Sequence, residues 1–307
     1  MSKELRILHG DFGRALLVQL DKSVTVHAHR TCQLLFRVDE GEVEVSVQNG
    51  RHRLDKQGVV MLNAWEPHSY ECAKDQSPVT VLALYIEPAW LKRNDQRFSC
   101  SMHPRFFSVP FGVVPTAVQG LVDKLVDTIT YEPTPTPLDV ETLILDIVLA
   151  LTAEYSDGTG LSSFQTVGGA SCDVRIRKVL SIMRDSVGEP IVVEDLARLA
   201  RMSRPHFFHL FKQETQLTPI GYSSMLRMEM AIKKITETTE SLHDISMCLG
   251  FESPGNFTRF FNMHQGISPS QYRRSATLLS QAEKEPTVVR REHSGMERTR
   301  ASAEARC

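Results

Sequence analysis

Residues 203–222 read SRPHFFHLFKQETQLTPIGY and residues 253–272 read SPGNFTRFFNMHQGISPSQY. One offset of fifty aligns Ser203 with Ser253, Phe207 with Phe257, Phe211 with Phe261, Thr218 with Ser268, Pro219 with Pro269 and Tyr222 with Tyr272. In each copy the Ser stands where a helix N-cap belongs, and its hydroxyl can accept from the free backbone N–H groups of the first turn. Pro254 then takes the first helical position, where its missing N–H costs nothing. The two Phe of each copy stand four apart, so they share one helical face, and that face is expected to be buried.

Ahead of each copy lies a short amphipathic segment. VVEDLARLA precedes the first, with Leu196, Leu199 and Ala200 apolar; LHDISMCLG precedes the second, with Ile245 and Leu249 apolar. A short helix, a turn and a second helix pinned by aromatics is the pattern of a helix-turn-helix. Gly250 closes the second turn, where only Gly takes a left-handed backbone without penalty. Arg201 occupies the matching place in the first, so a strained or differently shaped turn is expected there. Between the copies, PIGYSSMLRMEMAIKKI carries Met225, Met228, Ile232 and Ile235 as a partial apolar stripe. A helix of ~17 residues spans ~25 Å. With the offset of the two units added, that suits two reading helices about one DNA turn, ~34 Å, apart.

The stretches DLARLARMSRPHFFHLFKQETQLTPIGY, LRMEMAIKKI and DISMCLGFESPGNFTRFFNMHQGISPSQYRR resemble the DNA-binding region of the AraC/XylS family of bacterial transcription regulators, over roughly residues 173 to 275. The most specific part is ISMCLGFESPGNFTRFF followed by GISPSQYR. The resemblance implies that the first helix presents Arg204, Pro205, Phe208 and His209 to DNA, and the second Pro254, Gly255, Asn256 and Arg259. Arg259 suits a guanine edge and Asn256 an adenine edge, whereas Phe208 offers apolar contact, for instance to thymine methyls. His209 stands where the family usually has Arg, and Arg201 where it usually has Gly, so the target sequence stays open.

The chain has 307 residues, enough for two domains with cores of their own. Its net charge of −2 divides unevenly. Residues 1–171 hold 15 Lys+Arg against 21 Asp+Glu, a balance of −6, whereas residues 172–275 hold 14 against 11, a balance of +3. The basic excess falls on the repeat, as phosphate contact requires. No signal peptide, membrane span or lipidation motif is recognised, since the most apolar run, LILDIVLALTA, is short and contains Asp146. The six Cys show neither CxxC nor finger spacing, which fits reduced thiols in the cytoplasm; Cys32 and Cys72 are the two that could lie near a ligand cavity.

From Leu5 to about Ile86 the period becomes two: VTVHAH, QLLFRV, EVEVSV, RHRL, VVML and VTVLALYI, with Asn49-Gly50 as a hairpin signal. Short strands with close turns predict an antiparallel sandwich or barrel. His27 and His29 face one way, Gln33 follows, and His68 comes after a turn. These residues resemble the cupin pattern of two His, a carboxylate and a third His inside a jelly roll, which is also the usual N-terminal domain of the resembled family. Gln33 replaces the carboxylate, and a neutral amide is a poor ligand for a divalent ion. No metal, cofactor or catalytic residue is therefore expected. The preferred expectation is a small-molecule pocket anchored by His27, His29, Gln33, Arg37 and His68, with Arg37 suited to a carboxylate.

After residues 88–112, which lack a clean period, TAVQGLVDKLVDTIT and LDVETLILDIVLALTAEY show helical spacing, with Val118, Leu121, Val122, Leu125 and Ile129 on the first and Leu143, Ile144, Ile147, Val148 and Leu151 on the second. The second is apolar over more than one stripe, and in the resembled family such helices often dimerise. The expected plan is α+β and multidomain. It comprises a cupin-like jelly-roll effector domain (1–112), a helical hairpin for dimerisation (113–156), a flexible linker (157–172), an all-α tandem helix-turn-helix domain (173–275) and a disordered tail (276–307). The expected function is a cytoplasmic, effector-responsive transcription regulator, an activator by resemblance, contacting two successive major grooves and RNA polymerase as a homodimer and no membrane. A metal-dependent cupin-type enzyme, or an assembly module, fused to the DNA-binding domain stays open as the alternative.

Overall fold

The computed structural model describes residues 6–47, 50–72, 78–103, 105–156 and 173–279. The period-two segments form β1 (Arg6–Gly10), β2 (Gly13–Leu20), β3 (Val24–His27), β4 (Cys32–Arg37), β5 (Val43–Val47), β6 (Gly50–Leu54), β7 (Gly58–Leu62), β8 (His68–Cys72) and β9 (Val79–Ile86). After α1 (Pro88–Asn94) and a 3-10 turn (Gln96–Cys100), β10 (Phe111–Val113) follows. One sheet runs β10-β7-β4-β9-β2-β1 and ends on β11 (Ala276–Leu278); the other runs β3-β8-β5-β6. This is the expected sandwich. Gly50 pairs with Val47 and so lies inside the hairpin's second strand rather than in its turn; Asn49 is outside the described residues.

Alternation along β4 divides the core. Cys32, Leu34 and Phe36 face outward and, with Leu82, Leu84 and Ile86, pack on Val118, Val122 and Leu125 of α2 (Thr116–Tyr131) and on Ile144, Ile147 and Val148 of α3 (Pro137–Tyr155). Leu35, Val60, Leu62, Val81 and Ala83 face inward toward Val43, Val45 and Val47 of the second sheet. The helical hairpin is thus a lid on the outer face. Its extra apolar stripe, Leu145, Leu149 and Ala150, is half-covered by that same core, which leaves Tyr131 (78% exposed) and Leu138 (73%) at the interhelical turn as its exposed large side chains.

The second half contains α4 (Val174–Asp185), α5 (Val193–Leu199), α6 (Arg204–Thr215), α7 (Pro219–Glu237), α8 (Leu242–Cys248), α9 (Pro254–Gln265) and α10 (Pro269–Ser275). The four repeated Phe are at most 1% exposed, and each such side chain contributes roughly 2–3 kcal/mol by burial. The spacer helix α7 belongs to both copies. Its Tyr222 and Met225 pack with Phe207 and Phe211, and its Ala231, Ile232 and Ile235 with Phe257, Phe261 and Tyr272. Two units sharing one helix core cannot swing independently.

Both helix-turn-helix turns close with the same bonds: Arg201 N–H donates to Arg198 and Met202 N–H to Ala197, while Gly250 N–H donates to Met247 and Phe251 N–H to Ser246. Arg201 (φ 55°) and Gly250 (φ 74°) are both left-handed. The expected strain at Arg201 is present, and the shape is shared. A Cβ on Gly250 would lie 1.8 Å from the carbonyl oxygen of Gly188, so the loop after α4 is laid directly on the second turn.

Residues 276–278, expected within a disordered tail, form β11. This strand pairs in parallel with β1 through Ile7 with Ala276, Leu8 with Thr277 and His9 with Leu278. The cause is positional: β1 is an edge with unpaired backbone groups, and α10 delivers an extended segment to it. The expected linker 157–172 and the tail from 280 lie outside the described residues.

Candidate functional site

Helix α6 begins at Ser203, whose side chain makes no cap bond, whereas at α9 the Ser253 hydroxyl accepts from Asn256 N–H at 3.2 Å. The expected capping is therefore present in the second copy alone. Opposite the buried Phe pairs, Arg204, Pro205, Phe208 and His209 on α6 are exposed, as are Pro254, Gly255, Asn256 and Arg259 on α9. Arg204 is held to Glu194 of α5 at 3.1 Å. Arg259 has no hydrogen-bond or ion-pair partner among the described residues, so its guanidinium is available. The structure puts each group of four on the solvent side of its helix.

The second constellation lies where the sandwich meets the helical half. His27 ends β3 and pairs across the ladder with His68 of β8; His29 follows two residues on. The ring centroids are 4.3 Å (His27–His68), 4.8 Å (His27–His29) and 5.2 Å (His29–His68) apart. Nδ1 of His27 lies 2.7 Å from the Thr25 carbonyl and Nδ1 of His68 lies 2.9 Å from the Glu66 carbonyl. A carbonyl only accepts, so these nitrogens carry the proton and each Nε2 keeps its lone pair. All three Nε2 atoms are buried without a hydrogen-bond partner. Burial lowers the His68 pKa to about 4 and, with the neighbouring rings adding, holds His27 and His29 well below the ordinary range. The rings are neutral at pH 7.

Gln33 joins this group through Tyr70, whose hydroxyl donates to Gln33 Oε1 at 3.1 Å. Arg37 does not. Its guanidinium donates to the Gly41 carbonyl, and four residues of strand put it ~13 Å from Gln33. The inward guanidinium near the histidines is Arg14 of β2, which lies 3.9 Å from the Tyr85 ring centroid and donates to the Tyr272 hydroxyl at 3.3 Å. Cys32 points to the opposite, outer core, where burial pushes its thiol up to about 12, which ill suits redox sensing.

Two cavities open between the halves. One of about 400 Å³ is lined by His27, His29 and Arg14 on one wall and by Met228, His264 and Gln265 on the other. The other, of about 590 Å³, also touches Arg14 and His29, and adds Arg30, Glu87 and Lys233. Glu229 of α7 borders both, and burial raises its carboxyl pKa. Further interdomain ties are Trp65 stacked on Tyr222 (5.6 Å), Thr25 Oγ1 donating to the Met263 carbonyl (3.3 Å), and Tyr272 with His9 (3.0 Å). Arg14, Glu229 and His264 were not foreseen from sequence, because none repeats or falls in a spaced motif. Among the described residues, no helix is long and apolar enough to cross a membrane.

A family model described as an AraC-like ligand binding domain matches residues 19–148, and one described as a helix-turn-helix domain matches residues 196–275. An uncharacterized HTH-type transcriptional regulator of Escherichia coli K12, YdiP, is 35% identical over 102 residues, 33% of this chain and 34% of that protein. The lactose operon transcription activator of Staphylococcus xylosus is 31% identical over 98 residues, 32% of this chain and 35% of that protein. The chain thus spans about a third of the length of these curated relatives. Apo ToxT from Vibrio cholerae superposes with a TM-score of 0.56 at 13% identity, covering 89% of this chain and 100% of that one, a likeness of fold.

Proposed function

The chain belongs to the AraC/XylS family, an AraC-like ligand-binding domain joined to a tandem helix-turn-helix, and from that premise we propose that it is an effector-responsive, sequence-specific regulator of transcription. In this reading it acts in the cytoplasm, as an activator that contacts RNA polymerase. The observation that carries it is the pair of exposed faces, Arg204, Pro205, Phe208 and His209 on α6 and Pro254, Gly255, Asn256 and Arg259 on α9, carried on one shared helix. Fixed spacing by α7 suits two successive major grooves.

Regulation follows from where the cavities lie. A ligand bound between the two halves touches both, so it binds the docked arrangement differently from any other and shifts their populations. The anchors of that site are His27 and His29, with His68 and Gln33 behind them; Arg14 takes the place expected for Arg37. Dimerisation uses the hairpin, through the exposed Tyr131 and Leu138.

The test is selection of bound fragments from a random DNA pool with the full chain. Expected is a motif with two blocks one helical turn apart, protected together in a footprint. Recovery of unrelated sequences with affinity that only tracks salt would refute it.

A further inference from the structure

We propose that His27, His29 and His68 hold a divalent transition-metal ion through their Nε2 atoms, and that His264, on the DNA-reading helix α9, relays its occupancy to the DNA-binding half. The inference rests on the reading of the N-terminal half as the effector receptor, and it gives that effector a chemical class.

The lone pairs on Nε2 of His27 and His68 are buried beside the equally unpartnered Nε2 of His29, and an electrophile between the three rings would satisfy all of them. The ligand nitrogens already lie within 4.8 Å of one another. Tetrahedral binding at about 2.0–2.1 Å would need them about 3.4 Å apart, so the widest pair would have to close by up to about 1.4 Å. The two Nδ1–H groups fixed on the Thr25 and Glu66 carbonyls are the outer bonds that metal-bound imidazoles use to fix tautomer and tilt. With Gln33 in place of a carboxylate, the donors are three neutral nitrogens, which suit Zn²⁺, Ni²⁺ or Co²⁺ and not Mg²⁺ or Ca²⁺.

Three protein ligands leave one position open. That position is served by the 400 Å³ cavity, which has His264 in its other wall. The His264 ring centroid is 6.4 Å from that of His27, its Nδ1 is buried without a partner, and Phe260 packs edge-on against it at 4.5 Å. Such a separation fits contact through a metal-bound water or anion. Because β3 and α9 are already tied by Thr25 and Met263, the extra contact forms only when the halves are docked. Metal then stabilises that arrangement by linkage.

The experiment uses tag-free full-length protein, stripped with chelator and titrated with Zn²⁺, Ni²⁺ or Co²⁺ alone. Calorimetry, visible Co²⁺ bands and the melting temperature are the readouts. Expected is one ion per chain, a raised melting temperature, and at least about a tenfold loss of affinity in each of His27→Gln, His29→Gln and His68→Gln. These variants are compared only where circular dichroism matches the parent. His264→Gln, outside the barrel, should keep the one-ion stoichiometry and lose the metal-dependent change in DNA affinity. Absence of stoichiometric binding, or binding that the three substitutions leave unchanged, overturns the metal site; a metal response that survives His264→Gln overturns the relay. The DNA selection is run on the same stripped protein. Specific DNA binding without metal uptake sinks only this inference, and metal uptake without specific DNA binding sinks only the regulator reading.

Discussion

Replacing Gly250 by Ala tests whether the second helix-turn-helix turn is locked by backbone contact. The added Cβ would meet a left-handed φ of 74°, which costs an L-residue roughly 1–2 kcal/mol. It would also stand 1.8 Å from the Gly188 carbonyl oxygen. That oxygen has little room to retreat, because Gly188 is itself at φ +105° with its Cβ position 2.5 Å from the Cys248 carbonyl. Forced overpacking of this kind costs about 1–3 kcal/mol, so the total is about 2–5 kcal/mol. At Arg201 the sign reverses, since Arg201→Gly removes the left-handed penalty and should stabilise by up to about 1 kcal/mol. Urea unfolding would read both as shifts in midpoint at constant slope. If Gly250→Ala stayed within about 0.5 kcal/mol of the parent, the range of an ordinary surface change, the contact with Gly188 would not be a constraint. If Arg201→Gly destabilised, the first turn would not be strained.

Arg259→Ala should cost about 1–3 kcal/mol at a single base position, measured against a panel of single-substitution sites; equal loss on every sequence would make Arg259 a phosphate contact instead. His9, whose pKa burial and then Arg14 lower to about 3, is protonated more readily when unfolded. Its contribution to stability is therefore complete above pH ~6.5 and is lost as pH falls toward 3, roughly 2 kcal/mol being gone at pH 5. Urea titrations at pH 7 and pH 5 on the parent and on His9→Gln measure this, and an identical pH dependence in the two would contradict it. Ending the chain after Ser275 removes β11, so amide exchange in β1 should accelerate; unchanged protection would mean that the pairing of Ile7 with Ala276 contributes nothing.

The repeated Ser, Phe and Pro positions were legible because their causes are local: a cap, a helical face and a start signal lie within one turn of each other. His27 and His29 do meet as alternation suggests, although β3 ends at His27 and His29 lies just beyond it. Arg37 shows what alternation omits. It shares the inner face of β4 with Gln33, but face is not depth, and the length of strand between them carries Arg37 to the far end. Arg14 reaches the histidines because β2 pairs with β9 in a register that sets Arg14 opposite Tyr85. Glu229 and His264 reach them because one half of the chain docks on the other. No short-range periodicity encodes that docking, nor the strand formed by Ala276–Leu278, whose only cause is the open edge beside it.

That strand ties the first described strand to the last. Ile7 and Ala276 are neighbours across 269 residues, the difference of their positions. At ribosomal speed, tens of seconds separate the emergence of β1 from that of β11. For that interval the nascent sensor carries a bare ladder edge able to accept any passing extended chain. Demand for chaperones that cover open strand edges is therefore expected to be greatest in that window of synthesis.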